Sequence, residues 1–203
     1  MLKSNLKSEV TDRFLMPLSR LGIHPNVWST LALGLALAGA ASLAWHSLVA
    51  GLLFFMLSGV IDMIDGAVAR ATKTASARGA FLDGVLDRYV EALLSLGLMI
   101  YLGPSEFLGV SVQLWILAML FGSVMTAFVR AYADHRGLVK DPQLQKQMGG
   151  LLERAERLML LYLGMVLGLH STSWLEAVIV LVAVLSNATA VQRVLFALDQ
   201  GRS

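Results

Sequence analysis

Long apolar runs, separated by short polar segments, repeat along most of this chain. Residues 27–45 carry no charge, and further apolar runs cover about residues 48–70, 79–102, 110–132, 149–169 and 175–195. At a rise of about 1.5 Å per residue, roughly 20 apolar residues cross the hydrocarbon core of a bilayer. The pattern therefore predicts six membrane-spanning helices.

The first 22 residues have a different pattern. Leu6, Val10, Phe14 and Leu18 recur at helical spacing, and charged residues surround them on the rest of the helix. This arrangement predicts an amphipathic helix lying along the membrane surface, with an ordinary helix packed on the bundle as the alternative.

The composition agrees with a membrane protein. The chain has 203 residues, of which 57% are hydrophobic and only 15% are charged, whereas about a quarter of the residues of a typical soluble domain are charged. Cysteine is absent, which excludes disulfides and thiolate metal ligands. The 16 Lys and Arg residues fall in the N-terminal segment, around the second and fourth polar connections and in the C-terminal tail. This one-sided distribution predicts that both termini are cytoplasmic.

Four carboxylates interrupt the second and third apolar runs, namely Asp62, Asp65, Asp83 and Asp87. Spacings of three and four residues place each pair on one face of a helix. An ionised carboxylate in hydrocarbon costs several kcal/mol, so four of them persist only where they face one another, water or a cation. Oxygen-rich clusters suit hard divalent ions such as Mg²⁺ or Mn²⁺. The pattern favours a buried two-metal site, with a proton or ion relay as the alternative.

The depths of the two pairs support one shared site. Counted at about 1.5 Å per residue, Asp62 and Asp65 fall in the cytoplasmic third of the second span. Asp83 and Asp87 lie about 6 and 12 Å along the third span, which starts at the cytoplasmic face. Small residues such as Gly66 would let a bulky polar ligand approach the backbone here, although small residues are also common where membrane helices pack.

From residue 62 to residue 87 the sequence matches D-x2-D-G-x2-A-R-x8-G-x3-D-x3-D at every fixed position. This run resembles the signature of the CDP-alcohol phosphotransferase family. The resemblance implies an all-α integral membrane protein, with an amphipathic juxtamembrane helix at residues 1–22 and a six-helix transmembrane catalytic domain at residues 23–203. It also implies a Mg²⁺-dependent homodimeric enzyme, which transfers the phosphatidyl-type group of a CDP-linked lipid to an acceptor hydroxyl and releases CMP.

The same resemblance implies roles for single residues. The implied ligands of two Mg²⁺ ions, or of Mn²⁺ in their place, are Asp62, Asp65, Asp83 and Asp87. Asp87 would in addition be the catalytic residue that accepts the proton of the acceptor hydroxyl. The implied contacts to the CDP-lipid are Asn26, Ser29, Gly66, Ala69, Arg70, Ser76 and Gly79.

Three arginines near the cytoplasmic ends of the fourth and fifth runs are candidates for acceptor binding: Arg130, Arg154 and Arg157. Guanidinium groups match phosphate oxygens, which favours a phosphorylated acceptor. The alternative is that they are membrane anchors, partly paired with nearby glutamates. The run from Gly150 to Arg157 resembles the family branch that uses inositol 1-phosphate, and glycerol 3-phosphate is the alternative acceptor.

The predicted partners are a CDP-linked lipid with diacylglycerol or archaeol chains, a phosphorylated polyol, membrane lipid and a second copy of the chain. No nucleic acid is expected. We expect a multi-pass protein of the plasma membrane with its active site on the cytoplasmic side. A small ion-coupled transporter is the non-enzyme alternative, although such proteins often contain inverted repeats that this chain lacks.

Overall fold

The computed structural model describes residues 25–71 and 76–201, with side chains described for residues 27–64 and 76–201. The helices in this part of the chain are α1 Pro25–Ala44, α2 Leu48–Ala71, α3 Ala77–Leu102, α4 Val112–His135, α5 Pro142–Gln147, α6 Arg154–Gly168 and α7 Thr172–Gln200. The amphipathic helix predicted at residues 1–22 lies outside the described residues.

The long helices lie close to the predicted apolar runs, but two elements were not predicted. Strands β1 Glu106–Phe107 and β2 Val110–Ser111 form a short antiparallel hairpin between α3 and α4. The short helix α5, of six residues, forms within a segment that was expected to be only polar. The structure is mostly helical, as predicted, and the hairpin is an exception that pairing between two-residue strands does not announce by any periodic pattern in the sequence.

Three of the described helices are long and apolar enough to cross a membrane: α1 from Val27 onward, α4 and α7. In α2, the apolar part with described side chains, Leu48–Ile64, is shorter. Helix α3 carries Asp83, Asp87, Arg88 and Glu91 among its apolar residues. Helix α6 has 15 residues, about 22 Å at the usual rise. The protein is a mostly helical membrane protein, and the count of six spans remains a prediction.

The described chain forms two compact units, one up to Gly97 and one from Leu98 onward. In the first unit, the fully buried Leu43 of α1 occupies a space that two glycines leave open. A Cβ at Gly51 of α2 would lie 2.6 Å from Leu43 Cδ2, and one at Gly97 of α3 would lie 2.7 Å from Leu43 Cδ1. Ser58 Oγ of α2 also donates to Ala32 O of α1 at 2.8 Å. Small residues thus allow close helix packing in this unit.

In the second unit, α7 packs against both α4 and α6. Asn187 Nδ2 of α7 donates to Ala118 O of α4 at 2.8 Å. A Cβ at Gly164 of α6 would lie 2.9 Å from Val178 Cβ of α7, so a glycine is needed at this contact. Helix α7 is therefore the element on which this unit is assembled.

Candidate active site

The start of α3 is fixed by a side-chain cap. Ser76 Oγ accepts a hydrogen bond from Gly79 N–H at 3.1 Å, which is the usual arrangement of a serine before a helix. A Cβ at Gly79 would lie 3.3 Å from the same oxygen, so the glycine leaves room for the cap. The cap sets where α3 begins and hence where Asp83 and Asp87 lie along it. The contact of Ser76 and Gly79 with a CDP-lipid remains a prediction.

Three carboxylates converge between α2 and α3. Asp62, Asp83 and Asp87 each offer a carboxylate oxygen, and these oxygens all lie within 4.8 Å of one another. Asp83 is exposed, Asp62 is half-buried and Asp87 is 9% exposed, so the cluster extends from the surface to the interior. Like charges this close repel one another unless a cation lies between them. An all-oxygen donor set at this separation fits a hard divalent ion, as the sequence predicted.

Several predicted site residues have side chains outside the described part. These are Asn26, Asp65, Gly66, Ala69 and Arg70. Helix α2 continues through this region as far as Ala71, so Asp65 follows Asp62 by about one helical turn. Ser29 lies half-buried on α1, next to the buried Trp28.

Two charged residues near the cluster were missed by the sequence reasoning. Arg88 Nη1 lies 3.4 Å from Asp87 Oδ2 and partly offsets its charge. Glu91 is only 5% exposed and follows Asp87 by four residues, on the same face of α3. Continuing the spacing of four from Asp83 through Asp87 would have found Glu91, since an acid in an apolar helix needs a polar environment.

The predicted acceptor arginines differ in their surroundings. Arg130 Nη2 donates to Gln145 O at 3.2 Å and to Met148 O at 3.0 Å, so this side chain holds backbone between α4 and α6. Arg154 is half-buried and Arg157 is 3% exposed. A membrane anchor keeps its charged head in water, so the burial of Arg157 argues against the anchor alternative.

The sequence reasoning assigned another buried arginine of this unit, Arg193, only to the C-terminal tail. Arg193 of α7 is 6% exposed, and its Nη1 donates to Thr126 O of α4 at 2.6 Å. Its Nε donates to Gly149 O at 3.3 Å, and its Nη2 lies 4.0 Å from Glu153 Oε1. A single Arg near the end of an apolar run gives no local signal for these three contacts, which come from distant parts of the chain.

Relatives of this chain are found over almost its whole length. An archaetidylinositol phosphate synthase of Methanothermobacter thermautotrophicus is 31% identical over 189 residues, which cover 92% of this chain and 90% of the relative. An archaetidylinositol phosphate synthase of Aeropyrum pernix is 34% identical over 197 residues, which cover 96% of this chain and 93% of the relative.

Solved structures of similar fold include the phosphatidylinositol phosphate synthase of Mycobacterium tuberculosis. Its structure with CDP-DAG bound has a TM-score of 0.76 at 27% identity, over 93% of this chain and 94% of that one. Its complex with manganese and citrate has a TM-score of 0.77 at 27% identity, over 93% of this chain and 88% of that one. The sequence model of the CDP-alcohol phosphatidyltransferase family matches residues 22–189. This chain therefore belongs to the CDP-alcohol phosphatidyltransferase family.

Proposed function

We propose that this enzyme transfers the phosphatidyl-type group of a CDP-linked lipid to the hydroxyl of inositol 1-phosphate and releases CMP. The observation that carries the proposal is the convergence of the Asp62, Asp83 and Asp87 carboxylates within 4.8 Å, in a family that acts on CDP-alcohols. The names of the archaeal and mycobacterial relatives support an inositol phosphate as the acceptor. Because the chain belongs to an enzyme family, we favour an enzyme over the transporter and the proton or ion relay.

Two Mg²⁺ ions, or Mn²⁺ in their place, would be held by Asp62, Asp65, Asp83 and Asp87. The described members of this set offer only oxygen ligands, which suits either ion. The mycobacterial neighbour that was crystallised with manganese supports a divalent ion in this fold. Divalent ions held by these carboxylates would neutralise the diphosphate and the charge that develops on the CMP leaving group.

Asp87 is the best-placed proton acceptor among the three described carboxylates because it is the most buried of them. It would take the proton of the acceptor hydroxyl while that oxygen forms a bond to the lipid-linked phosphorus. The bond from this phosphorus to the CMP phosphate breaks in the same exchange, and CMP leaves as an anion. Arg88, 3.4 Å from Asp87 Oδ2, would limit the repulsion within the cluster.

Substrate binding would divide between two groups of residues. The CDP-lipid would contact Asn26, Ser29, Gly66, Ala69, Arg70, Ser76 and Gly79. Arg154 and Arg157 would bind the phosphate of the acceptor, since guanidinium groups hold phosphate through paired hydrogen bonds. Arg130 would support that site through its bonds to Gln145 O and Met148 O.

The enzyme would lie in the plasma membrane as a homodimer of six-span subunits. The one-sided distribution of Lys and Arg supports cytoplasmic termini and a cytoplasmic active site. A cytoplasmic site also gives direct access to a water-soluble sugar phosphate and releases CMP on the same side.

The proposal is tested by measuring CMP release from purified protein in detergent or nanodiscs. CDP-diacylglycerol and CDP-archaeol are each offered with inositol 1-phosphate, glycerol 3-phosphate, free inositol or serine, with Mg²⁺ and with excess chelator. We expect Mg²⁺-dependent release with inositol 1-phosphate and only background release with free inositol. Faster turnover with glycerol 3-phosphate would replace the proposed acceptor, and equal turnover with free inositol would refute the arginine site.

A further inference from the structure

The indole ring of Trp28 is buried where α1 packs against α2. Trp28 lies in the first turn of α1 and is 8% exposed. It packs with the buried Ile64 and the partly buried Ile61 of α2. Asp62 lies between these two isoleucines in the sequence of α2. The indole therefore faces α2 at the level at which this helix carries its first carboxylate.

The N–H group of this indole lacks an acceptor. Trp28 Nε1 is buried, and in the part of the chain that the structure describes it makes no hydrogen bond. Trp115 of α4 differs, because its Nε1 donates to Phe107 O at 3.2 Å. A buried donor without an acceptor costs free energy, since it has lost its hydrogen bond to water and gained none within the protein. Such a group requires an explanation, and a ligand that brings an acceptor is one.

The same helix contact does satisfy another donor. Ser58 Oγ of α2 donates to Ala32 O of α1 at 2.8 Å. Ala32 follows Trp28 by one helical turn. The packing of α1 on α2 can therefore supply an acceptor to a buried donor, and it does so for Ser58 and not for Trp28.

The surroundings of Trp28 indicate which ligand would bring an acceptor. Asp62 belongs to the carboxylate cluster that is proposed to hold the metal ions and, through them, the diphosphate of the substrate. Ser29, the next residue of α1, is a proposed contact of the CDP-lipid. The phosphate, ribose and cytosine groups of a CDP-lipid all carry oxygens that accept hydrogen bonds. The nucleotide is therefore the acceptor-rich group proposed to bind at this level of α1 and α2.

We propose that Trp28 is a further binding residue for the CDP-lipid: its indole N–H donates a hydrogen bond to an oxygen of the nucleotide part, while its ring packs on α2 beside Asp62. Because Nε1 is covered by protein atoms, this contact forms together with a small shift of side chains around the ring. The proposal rests on the proposed function, because it needs a nucleotide at the carboxylate cluster. It does not depend on which alcohol accepts the phosphatidyl-type group.

Two replacements of Trp28, each with a matched control at Trp115, test this in the full-length protein. Trp28→Phe removes the N–H together with part of the ring. Incorporation of 3-benzothienylalanine at position 28 removes only the N–H, because a sulfur atom takes the place of the nitrogen and the shape is kept. The controls are Trp115→Phe and the same analogue at position 115, where the N–H has an acceptor in the protein. The readouts are Tm without substrate, the Kd of CMP with Mg²⁺ present, and KM for CDP-diacylglycerol and for inositol 1-phosphate.

We expect the analogue at position 28 to raise the Kd of CMP and KM for CDP-diacylglycerol by about tenfold each, because the hydrogen bond to the nucleotide is lost. Trp28→Phe should raise both constants at least as much. Tm without substrate should stay within about 1 °C of wild type with the analogue at position 28, since its N–H has no acceptor to lose, whereas the analogue at position 115 should lower Tm by about 2 to 4 °C. The position 115 controls should leave the binding constants within about twofold, and KM for inositol 1-phosphate should stay within about twofold throughout.

An unchanged Kd of CMP with the analogue at position 28 would overturn the proposal, and a fall in Tm as large as that at position 115 would then show that the N–H bonds to the protein itself. A raised KM for CDP-diacylglycerol with an unchanged Kd of CMP would also overturn it, because the acceptor would lie in the lipid part. If wild-type protein binds CMP but does not use inositol 1-phosphate, the proposed acceptor fails separately, and the Kd of CMP still decides the role of Trp28. Wild-type protein that binds neither CMP nor CDP-diacylglycerol would overturn both proposals.

Discussion

The carboxylate cluster and the arginine region are positioned in different ways. Asp83 and Asp87 are placed by the regular repeat of α3 after its cap at Ser76, and they meet Asp62 of α2. Arg154 and Arg157 follow an irregular segment whose position depends on α4 and α7. The chemistry of the first region therefore depends on periodicity along single helices, and that of the second depends on contacts between distant residues.

This difference predicts different responses to mutation. In the carboxylate cluster, each side chain is proposed to have its own chemical function, so one substitution should remove activity while the helices stay folded. In the arginine region, substitutions of residues that touch no substrate should also weaken acceptor binding, because they move the backbone that carries the arginines. The four predictions below test this contrast.

The largest effect is expected for Asp62→Asn and Asp83→Asn. Each change would remove a proposed anionic oxygen ligand, and metal ions supply several kcal/mol of transition-state stabilisation, equivalent to about a thousandfold or more in rate. Excess chelator should give the same loss in wild-type protein. Glu106→Gln in the exposed hairpin is the matched control and should keep normal turnover. CMP release at wild-type rates in either Asp variant would refute the metal site.

Asp87→Asn is expected to lose turnover by about 10²- to 10⁴-fold, because an amide cannot accept the proton of the hydroxyl. Binding of the CDP-lipid, measured by isothermal titration or thermal shift, should fall less than in Asp62→Asn. A fall in nucleotide affinity as large as that of Asp62→Asn would show that Asp87 is mainly a metal ligand.

Arg154→Ala should raise KM for inositol 1-phosphate by about 10- to 150-fold with a smaller change in kcat, since a hydrogen bond to a charged group contributes about 1.5 to 3 kcal/mol. KM for the CDP-lipid should stay nearly constant. Arg136→Ala is the control, because its guanidinium lies over the Tyr132 ring, 5.9 Å from the centroid. Loss of kcat at constant acceptor KM would show that Arg154 acts in the transition state instead.

The smallest effect on activity is expected from cysteines that test whether the two regions share one face of the membrane. The cysteine-free chain allows single exposed reporters at Ala77, Lys146 and Ser47. We expect Ala77→Cys and Lys146→Cys to react from the cytoplasm and Ser47→Cys from outside, with turnover retained. Labelling of Ala77→Cys and Lys146→Cys from opposite sides would contradict the orientation that the distribution of Lys and Arg predicts.

The sequence predicted the carboxylate cluster because its information is local. Spacings of three and four residues within two apolar helices indicate where Asp62, Asp83 and Asp87 point, and the cost of isolated charge in lipid implies that they meet. The structure brings the three together within 4.8 Å. Glu91 belongs to the same repeat and was within reach of the same reasoning.

The sequence also determined the long helices, since about 20 apolar residues between polar turns have few other stable forms in a membrane. The helices α1, α4 and α7 lie where the apolar runs predicted them. The short hairpin of β1 and β2 and the six-residue helix α5 were not predicted, because neither is long enough to produce a periodic pattern in the sequence.

Only the tertiary structure shows that Arg130 and Arg193 donate hydrogen bonds to backbone carbonyls. Their partners lie 18 and 67 residues away along the chain, at Met148 O and Thr126 O. An arginine looks the same in sequence whether it binds phosphate, water or carbonyl oxygens, because all three offer acceptors to the same donors. Which acceptor it reaches depends on how α4 and α7 pack, and that packing comes from close contacts such as the one between Gly122 of α4 and Asn187 of α7 rather than from any local pattern.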